Sequence, residues 1–561
     1  MRKIRLIWAI LLAILSLDAC VKDSGSKEIE QPSAITVKPV SNTWDGKKLA
    51  DITYQILVYS FADSDGDGYG DFNGITQHLD YIDSLGAKAL WLSPIFPSMS
   101  YHGYDVTDYS MVNPKFGTES DFKNLVSKAH AKDIKIYLDF VLNHTGKDHP
   151  WFKSASSSKT SPYRNYYIFS STPQQDIISG KIPMIATEGS SGYDSGQWFR
   201  NPSSTWGTEY YHSHFWTDWF ADLNYGPAVT CENSEAFKAV TAAADKWIGL
   251  GVDGFRLDAV KHIYHNASSD ENPTFLKKFY DHCNTTFKSL GHSGNIYMVG
   301  EVLDEASSVA HYYSGLPAFF EFSFWYRLSY ALNNGIGRYF AKDILGYLPL
   351  YKSYRTDYIE ATKLSNHDEN RTGSELGGSI ALMKQAAAVL LTSGGHPYIY
   401  QGEELGYTGK KDGGDEYVRT PIMWDEAGTK LAKAGVNNKV NTSMLKADIS
   451  VEAQRQNPSS VLEIYRYFTR LRNQYPALAE GVLSKHPTYN DVNEAYPSIA
   501  AWYLTSTSQK VLVIHNFGTD IVKMKLTDDL SKPLGLLGKA SVDNSAGLLY
   551  LNGNSSVIFE Q

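Results

Sequence analysis

The chain has 561 residues, a formal net charge of -9 and 20% charged residues. That length exceeds one small core and allows a large barrel domain with additions, or several ordinary domains. The negative balance and the lack of a basic tract exclude a nucleic-acid partner held through phosphates, and three cysteines cannot build a disulfide framework.

Residues 1–20 open with Met-Arg-Lys, continue in an apolar run from Ile4 to Leu17 broken by Arg5, and end in Asp18-Ala19-Cys20. The run is short for a membrane span. It resembles a bacterial lipoprotein signal, whose cleavage would leave Cys20 as a lipidated N-terminus, although Asp18 departs from the small or apolar residue usual there. Residues 21–45, rich in Ser, Lys, Glu and Pro, read as a flexible tether.

From Asp51 apolar strands alternate with amphipathic helices. Strands are predicted at Ile52–Phe61, Lys88–Pro94, Ile134–Leu142, Val252–Asp258, Ile296–Glu301, near Phe319–Phe324, at Ala361–Asn366 and at Tyr398–Gln401. Helices are predicted at Ile75–Leu85, Glu119–Lys132 with a Thr118 cap, Ala236–Leu250, Pro273–Leu290 and Ile380–Leu391. Such alternation predicts an α/β fold with a parallel sheet or (β/α)8 barrel over residues 46–476. Residues 145–225 lack helical period and read as an irregular subdomain inserted after the third strand. Residues 477–561, with short apolar runs such as Ala500–Leu504 and Val511–Ile514, read as a small antiparallel β domain. Cys231 and Cys283 could pair, which sequence alone leaves open, with free thiols favoured.

Polar residues collect at the strand ends: Asp139, Asn143 and His144; Arg256, Asp258, Lys261 and His262; Glu301; His367 and Asp368. In a barrel these ends share one rim, where active sites sit. Alternation puts Arg256 and Asp258 on one face, where the guanidinium favours an ionised carboxylate; the same pair alone would serve as a structural salt bridge. Aromatics at 13%, with 38 Tyr and 12 Trp, suit stacking on flat apolar faces such as sugar rings, and also ordinary packing. The stretch from Asp63 to Asp71 places Asp63, Asp65, Asp67 and Asp71 at alternating positions among glycines and Tyr69, an oxygen-rich pattern suited to Ca2+. Its start matches an EF-hand loop, but position twelve is Gly74 rather than Glu.

Asp139-Phe140-Val141-Leu142-Asn143-His144, Gly254–His262, Val299-Gly300-Glu301-Val302 and Ser365-Asn366-His367-Asp368 resemble, in order and spacing, the four signature regions of the α-amylase family, glycoside hydrolase family 13. The flanking His102–Asp105, Ala221–Asn224 and Gln401–Glu404 match as well, so the resemblance spans residues 51 to about 560. It implies a barrel with an inserted domain after strand three and a C-terminal β domain. It implies Asp258 as nucleophile, Glu301 as general acid/base and Asp368 as the carboxylate that stabilises the distorted sugar. Arg256 would hold Asp258 ionised, His144 and His367 would bind sugar hydroxyls, Tyr104 would stack beneath the sugar, and Lys261 and His262 would face the leaving group. The Asp63–Asp71 stretch resembles the family's calcium loop after strand one, and Asn143, Asp222 and the His262 carbonyl match its interdomain calcium ligands.

Ala259-Val260-Lys261-His262 looks like α-amylases acting on α-1,4 links, whereas Gln401–Gly406 and Arg419–Trp424 resemble the α-glucosidase side. Endo-acting α-amylase is favoured over neopullulanase, exo-α-glucosidase or transglycosylase. A catalytically dead, glycan-binding barrel would have lost a carboxylate, and here all are in place. With Cys20, the resemblance is to lipid-anchored surface amylases of Gram-negative bacteria, with starch and maltooligosaccharides as substrates and a glycan-uptake complex as a possible partner.

Overall fold

The computed structural model describes residues 32–38, 48–182, 199–200, 209–213 and 219–561. Cys20, the signal-like segment and most of the tether lie outside the described residues.

Eight parallel strands close into a barrel: β1 (Thr53–Ile56), β2 (Ala89–Leu92), β3 (Lys135–Val141), β4 (Gly254–Asp258), β5 (Tyr297–Gly300), β6 (Ala318–Glu321), β7 (Ile359–Lys363) and β8 (His396–Tyr400), with β8 pairing back to β1. These are the apolar runs of the sequence, and β1, β2, β4 and β6 are buried at every position because helices cover the outside and side chains fill the lumen. The lumen is aromatic: Trp91, Tyr137, Phe320 and Tyr398 pack there, and Tyr137 stacks on Tyr297 with ring centres 4.6 Å apart. The helix at Glu119–His130 starts on the expected Thr118, which exchanges hydrogen bonds with Asp121 in a capping box. Cys231 and Cys283 are buried free thiols.

Local differences from the pattern have physical causes. The strand expected at Ile52–Phe61 stops at Ile56, and Val58–Phe61 forms a helical turn. The helix expected at Ile75–Leu85 is two pieces, Phe72–Gln77 and Leu79–Ser84, broken at His78, whose ring stacks on Trp424 at 3.6 Å. The strand near Phe319–Phe324 ends at Glu321, and Phe322–Asn334 is a helix; Phe320-Glu321-Phe322-Ser323-Phe324 alternates apolar and polar residues, a period of two that carries the strand pattern past its true end. A further helix, Gly337–Tyr354, contains Pro349.

The C-terminal part is a β-sandwich. A five-stranded antiparallel sheet, built around Ile499–Thr505, Lys510–Asn516 and Ser555–Glu560, faces a four-stranded one with a shared core that includes Ile514, Met524, Leu549 and Phe559. Gln385 donates to the Asn516 carbonyl and Trp502 to that of Thr392, fixing the sandwich to a barrel helix. The stretch read as flexible tether is partly pinned: Ser33–Ala34 pairs antiparallel with Ala540–Asp543, and Ile35 enters the sandwich core. Among the described residues no helix is long and apolar enough to cross a membrane.

Candidate active site

The parallel register sets Arg256 directly opposite Asp139 of β3 on one side and Val299 of β5 on the other. Arg256, fully buried, therefore faces three carboxylates. Its Nη1 donates to Asp139 Oδ1 at 2.9 Å and to Asp258 Oδ1 at 2.7 Å, and Nη2 lies 2.7 Å from Glu301 Oε1. Trp91 and the Tyr104 hydroxyl donate to the far oxygen of Asp139. The guanidinium also lies 5.1 Å over the Trp91 ring and 5.8 Å from that of Tyr104.

One guanidinium cannot neutralise three carboxylates, so the cluster holds protons more readily than its members would in water. Burial pushes Asp139 and Asp258 up to about 6 each against the pull of Arg256, and it raises Glu301 as well. Arg256 does favour the ionised form of Asp258, as expected, but burial outweighs it. The carboxylate held in its charged form is Asp368. Removal from water would raise it, but His367 and Arg419 outweigh that and keep it well below the usual range.

Arg419 is the residue that sequence spacing hid. It donates to Asp368 Oδ1 at 2.8 Å, to the His367 carbonyl at 3.0 Å and to Asp415 at 3.1 Å. It appeared in the sequence only as part of a subgroup-like segment, with no sign that it reaches back 51 positions. Gln55 Nε2 donates to His367 Nδ1 at 2.8 Å, which leaves the proton on Nε2, 2.6 Å from the Tyr104 hydroxyl and 3.0 Å from Asp368. Gln55, His367, Tyr104 and Asp139 thus form one hydrogen-bonded chain across the barrel mouth. The Tyr104 and His367 rings are parallel, 5.6 Å apart.

His144 receives Asn143 Nδ2 on Nδ1 at 3.1 Å and directs Nε2 at the Tyr104 carbonyl at 3.2 Å; burial lowers its pKa to about 3, so it is neutral. Ala259, just after Asp258, is left-handed at φ 49°, a conformation uncommon for a residue with Cβ. Its N–H reaches Glu301 Oε2 at 3.3 Å. Lys261 donates to the Leu303 carbonyl at 2.8 Å and lines, with Asp304, His311 and Tyr354, a cavity of about 410 Å³ beside the Glu301 loop. His262 closes the short turn Val260–His262 that follows β4.

In the acidic loop, Gly66 and Gly68 take φ of +87° and +91°, which lets the chain coil on itself. Asp63 accepts from the Gly66 and Gly68 amides, Asp65 from Asp67, and Asp71 from Ser64 and Gly74. Ligand oxygens of Asp63, Asp65 and Asp71 come within 4.8 Å of one another. Asp67 is not in that group; its Oδ1 accepts the Tyr69 amide. This all-oxygen donor set fits a hard dication such as Ca2+.

The second expected calcium set fits less well. Asn143 Nδ2 lies 3.3 Å from Asp222 Oδ1, and Asn143 Oδ1 is buried without a hydrogen-bond partner among the described residues. The side chains that converge on Asp222, however, are His212 and His265, two imidazoles in place of oxygens.

Residues 55–481 match the family described as "Alpha amylase, catalytic domain". The chain belongs to the α-amylase family of glycoside hydrolases. Residues 499–558 match the "Alpha-amylase SusG C-terminal domain". The chain is 46% identical to "Alpha-amylase SusG" of Bacteroides thetaiotaomicron over 99% of its own length and 98% of the relative's. That alignment runs to 688 positions, longer than this chain, so the relative carries residues that have no counterpart here. "Alpha-amylase 3" of Dictyoglomus thermophilum is 38% identical over 83% of this chain and 84% of that protein. Among solved structures, an α-amylase from H. orenii superposes with a TM-score of 0.75 at 30% identity, covering 92% of this chain and all of that one. The family fits the observed architecture of closed barrel and C-terminal β domain.

Proposed function

We propose that this α-amylase-family enzyme cleaves α-1,4-glucosidic bonds within starch and maltooligosaccharides with retention of configuration. Asp258 is the nucleophile, Glu301 protonates the leaving oxygen and then activates water, and Asp368 stabilises the positive charge that develops on the distorted sugar. The observation that carries this reading is the bridging of Asp258 and Glu301 by one guanidinium, at 2.7 Å from each. Such bridging keeps the two carboxyl groups close, in keeping with the roughly 5–5.5 Å of retaining enzymes rather than the wider gap that admits a water.

The environments favour these roles. A general acid must hold its proton near the working pH, and burial with two neighbouring carboxylates gives Glu301 that property. A charge stabiliser must stay ionised, and His367 with Arg419 gives Asp368 that property. Tyr104 supplies the flat face beneath the sugar, His144 and His367 its hydroxyl contacts, and Lys261 with His262 the leaving-group side. Ca2+ at Asp63, Asp65 and Asp71, with Asp67 and Tyr69 in the same loop, would clamp the segment that follows β1. Lipidation of Cys20 would place the enzyme on the cell envelope facing polymeric substrate, next to a glycan-uptake complex.

The product pattern tests the reading. Internal cleavage of starch and maltoheptaose gives mixed short maltooligosaccharides from the first minutes. Glucose as the sole early product would make it an exo-α-glucosidase, and panose from pullulan a neopullulanase. The glucosidase-like segment bearing Arg419 is what keeps the exo reading in view, since that residue holds Asp368 directly.

A further inference from the structure

We propose that His212, Asp222 and His265 form a binding site for a transition-metal dication of the zinc class, separate from the acidic loop at Asp63–Asp71. The three side chains come from different segments: His212 from the strand Tyr210–His212 of the inserted subdomain, Asp222 from the strand Phe220–Asp222, and His265 from the segment after the turn Val260–His262. All are buried, at 2%, 2% and 6% exposure. Their ligand atoms lie within 4.8 Å of one another, the span of a first coordination shell.

The donor chemistry selects the ion. Calcium takes six to eight oxygens, whereas two imidazoles and a carboxylate suit zinc and its neighbours, as in catalytic and structural His-rich sites. His212 Nε2 and His265 Nε2 face each other at 2.7 Å. Two ring nitrogens so placed share either one proton or one cation. Nitrogens bound to a tetrahedral zinc stand about 3.3 Å apart, so a small opening of the pair would admit the ion. Asp222 Oδ2 lies 3.6 Å from His212 Nδ1, where it would orient that ring, and the carboxylate also has an oxygen within the 4.8 Å group that a third ligand requires. Asn143 adjoins the cluster, its Nδ2 donating to Asp222 Oδ1 at 3.3 Å, which leaves the other oxygen of Asp222 for an ion.

A metal here would tie two strands of the inserted subdomain to the segment that leaves Asp258. It would fix the wall of the substrate cleft without touching the substrate. Asp222 would serve a nitrogen-rich site in place of the all-oxygen calcium site suggested by the family motif.

The test uses the full chain, free of any histidine tag, stripped with chelator and then titrated with Co2+, whose visible absorption reports low-coordinate nitrogen ligation. The wild type should bind one equivalent with a visible band that Zn2+ displaces and a hundredfold excess of Ca2+ does not. His265→Ala and His212→Ala should lose the band, and Asp65→Asn should keep it. A wild type that shows no band and retains no zinc by elemental analysis after gel filtration overturns the proposal. So does displacement by Ca2+, or an undiminished band in His265→Ala. Should the alanine variants fail to fold, the wild-type titration still decides, and His265→Gln, of similar size, repeats the ligand test.

Discussion

Two clusters of carboxylates sit within the same barrel end and have opposite chemistry. Around Arg256, Asp139, Asp258 and Glu301 are buried against one cation, and their proton affinities rise. In the Asp63–Asp71 loop, Asp63 and Asp65 are partly or fully exposed and are served by backbone amides in successive turns. The contrast shows that the number of acids in a cluster says little. Burial with too few positive charges produces groups that hold and pass protons, whereas water and backbone N–H groups produce preorganised oxygen ligands.

Exchanging a carboxylate for an amide in each cluster should therefore have unlike consequences. The largest is in the buried one. Asp258→Asn should lower kcat by several powers of ten on starch while circular dichroism and glycan binding stay close to the wild type. Glu301→Gln should be comparably poor on starch but recover much of its rate on an aryl glycoside, whose leaving group needs little protonation. Equal losses on both substrates would remove Glu301 from the acid role, and turnover by pure Asp258→Asn at the wild-type rate would remove Asp258 as nucleophile.

In the exposed cluster the expected effect is on stability. Metal that binds only the folded chain stabilises it by mass action, about 2.7 kcal/mol at a free concentration a hundred times Kd. Chelation should lower Tm by several degrees, added Ca2+ should restore it, and Asp65→Asn should be insensitive to both. An unchanged Tm after exhaustive chelation would leave the loop as a plain turn.

The smallest effect concerns pH. As the proposed nucleophile Asp258 would have to be ionised, and its folded-state pKa is raised to about 6, so kcat/KM should fall as pH drops through about 6. The charge of Asp139 is one cause of that rise, so Asp139→Asn should move the acid limb to lower pH, by less than about one unit. Asp65→Asn should leave the limb where it is. A limb that stays fixed or moves upward in Asp139→Asn would show that another group controls it.

Much of this was legible in the residues because barrel strands are buried on both sides and read as apolar runs, and because function gathers at their ends. Asp258, Glu301 and Asp368 could be picked out for that reason. What could not be read were contacts that close over long separations. Arg419 reaches Asp368, His265 reaches His212, and Ser33 pairs with Val542, and none leaves a periodic mark. The helix at Phe322–Asn334 was lost for another reason: Phe320 to Phe324 alternates apolar and polar residues, a strand-like period that runs on into the first turn of the helix.

If Cys20 is lipidated as proposed, the pairing of Ser33–Ala34 with the C-terminal sandwich has a mechanical consequence. About 13 residues separate Cys20 from the pinned strand, and fully extended they reach at most about 45 Å. That leash is shorter than one running to the barrel at Lys48 would be. Any pull from the bilayer, or drag from a large glucan, would enter through an antiparallel ladder and the Ile35 contact, in the domain remote from the chemistry. The sandwich would then act as the strain relief of the anchor, leaving the cleft free to swivel over its polymer without load on the barrel.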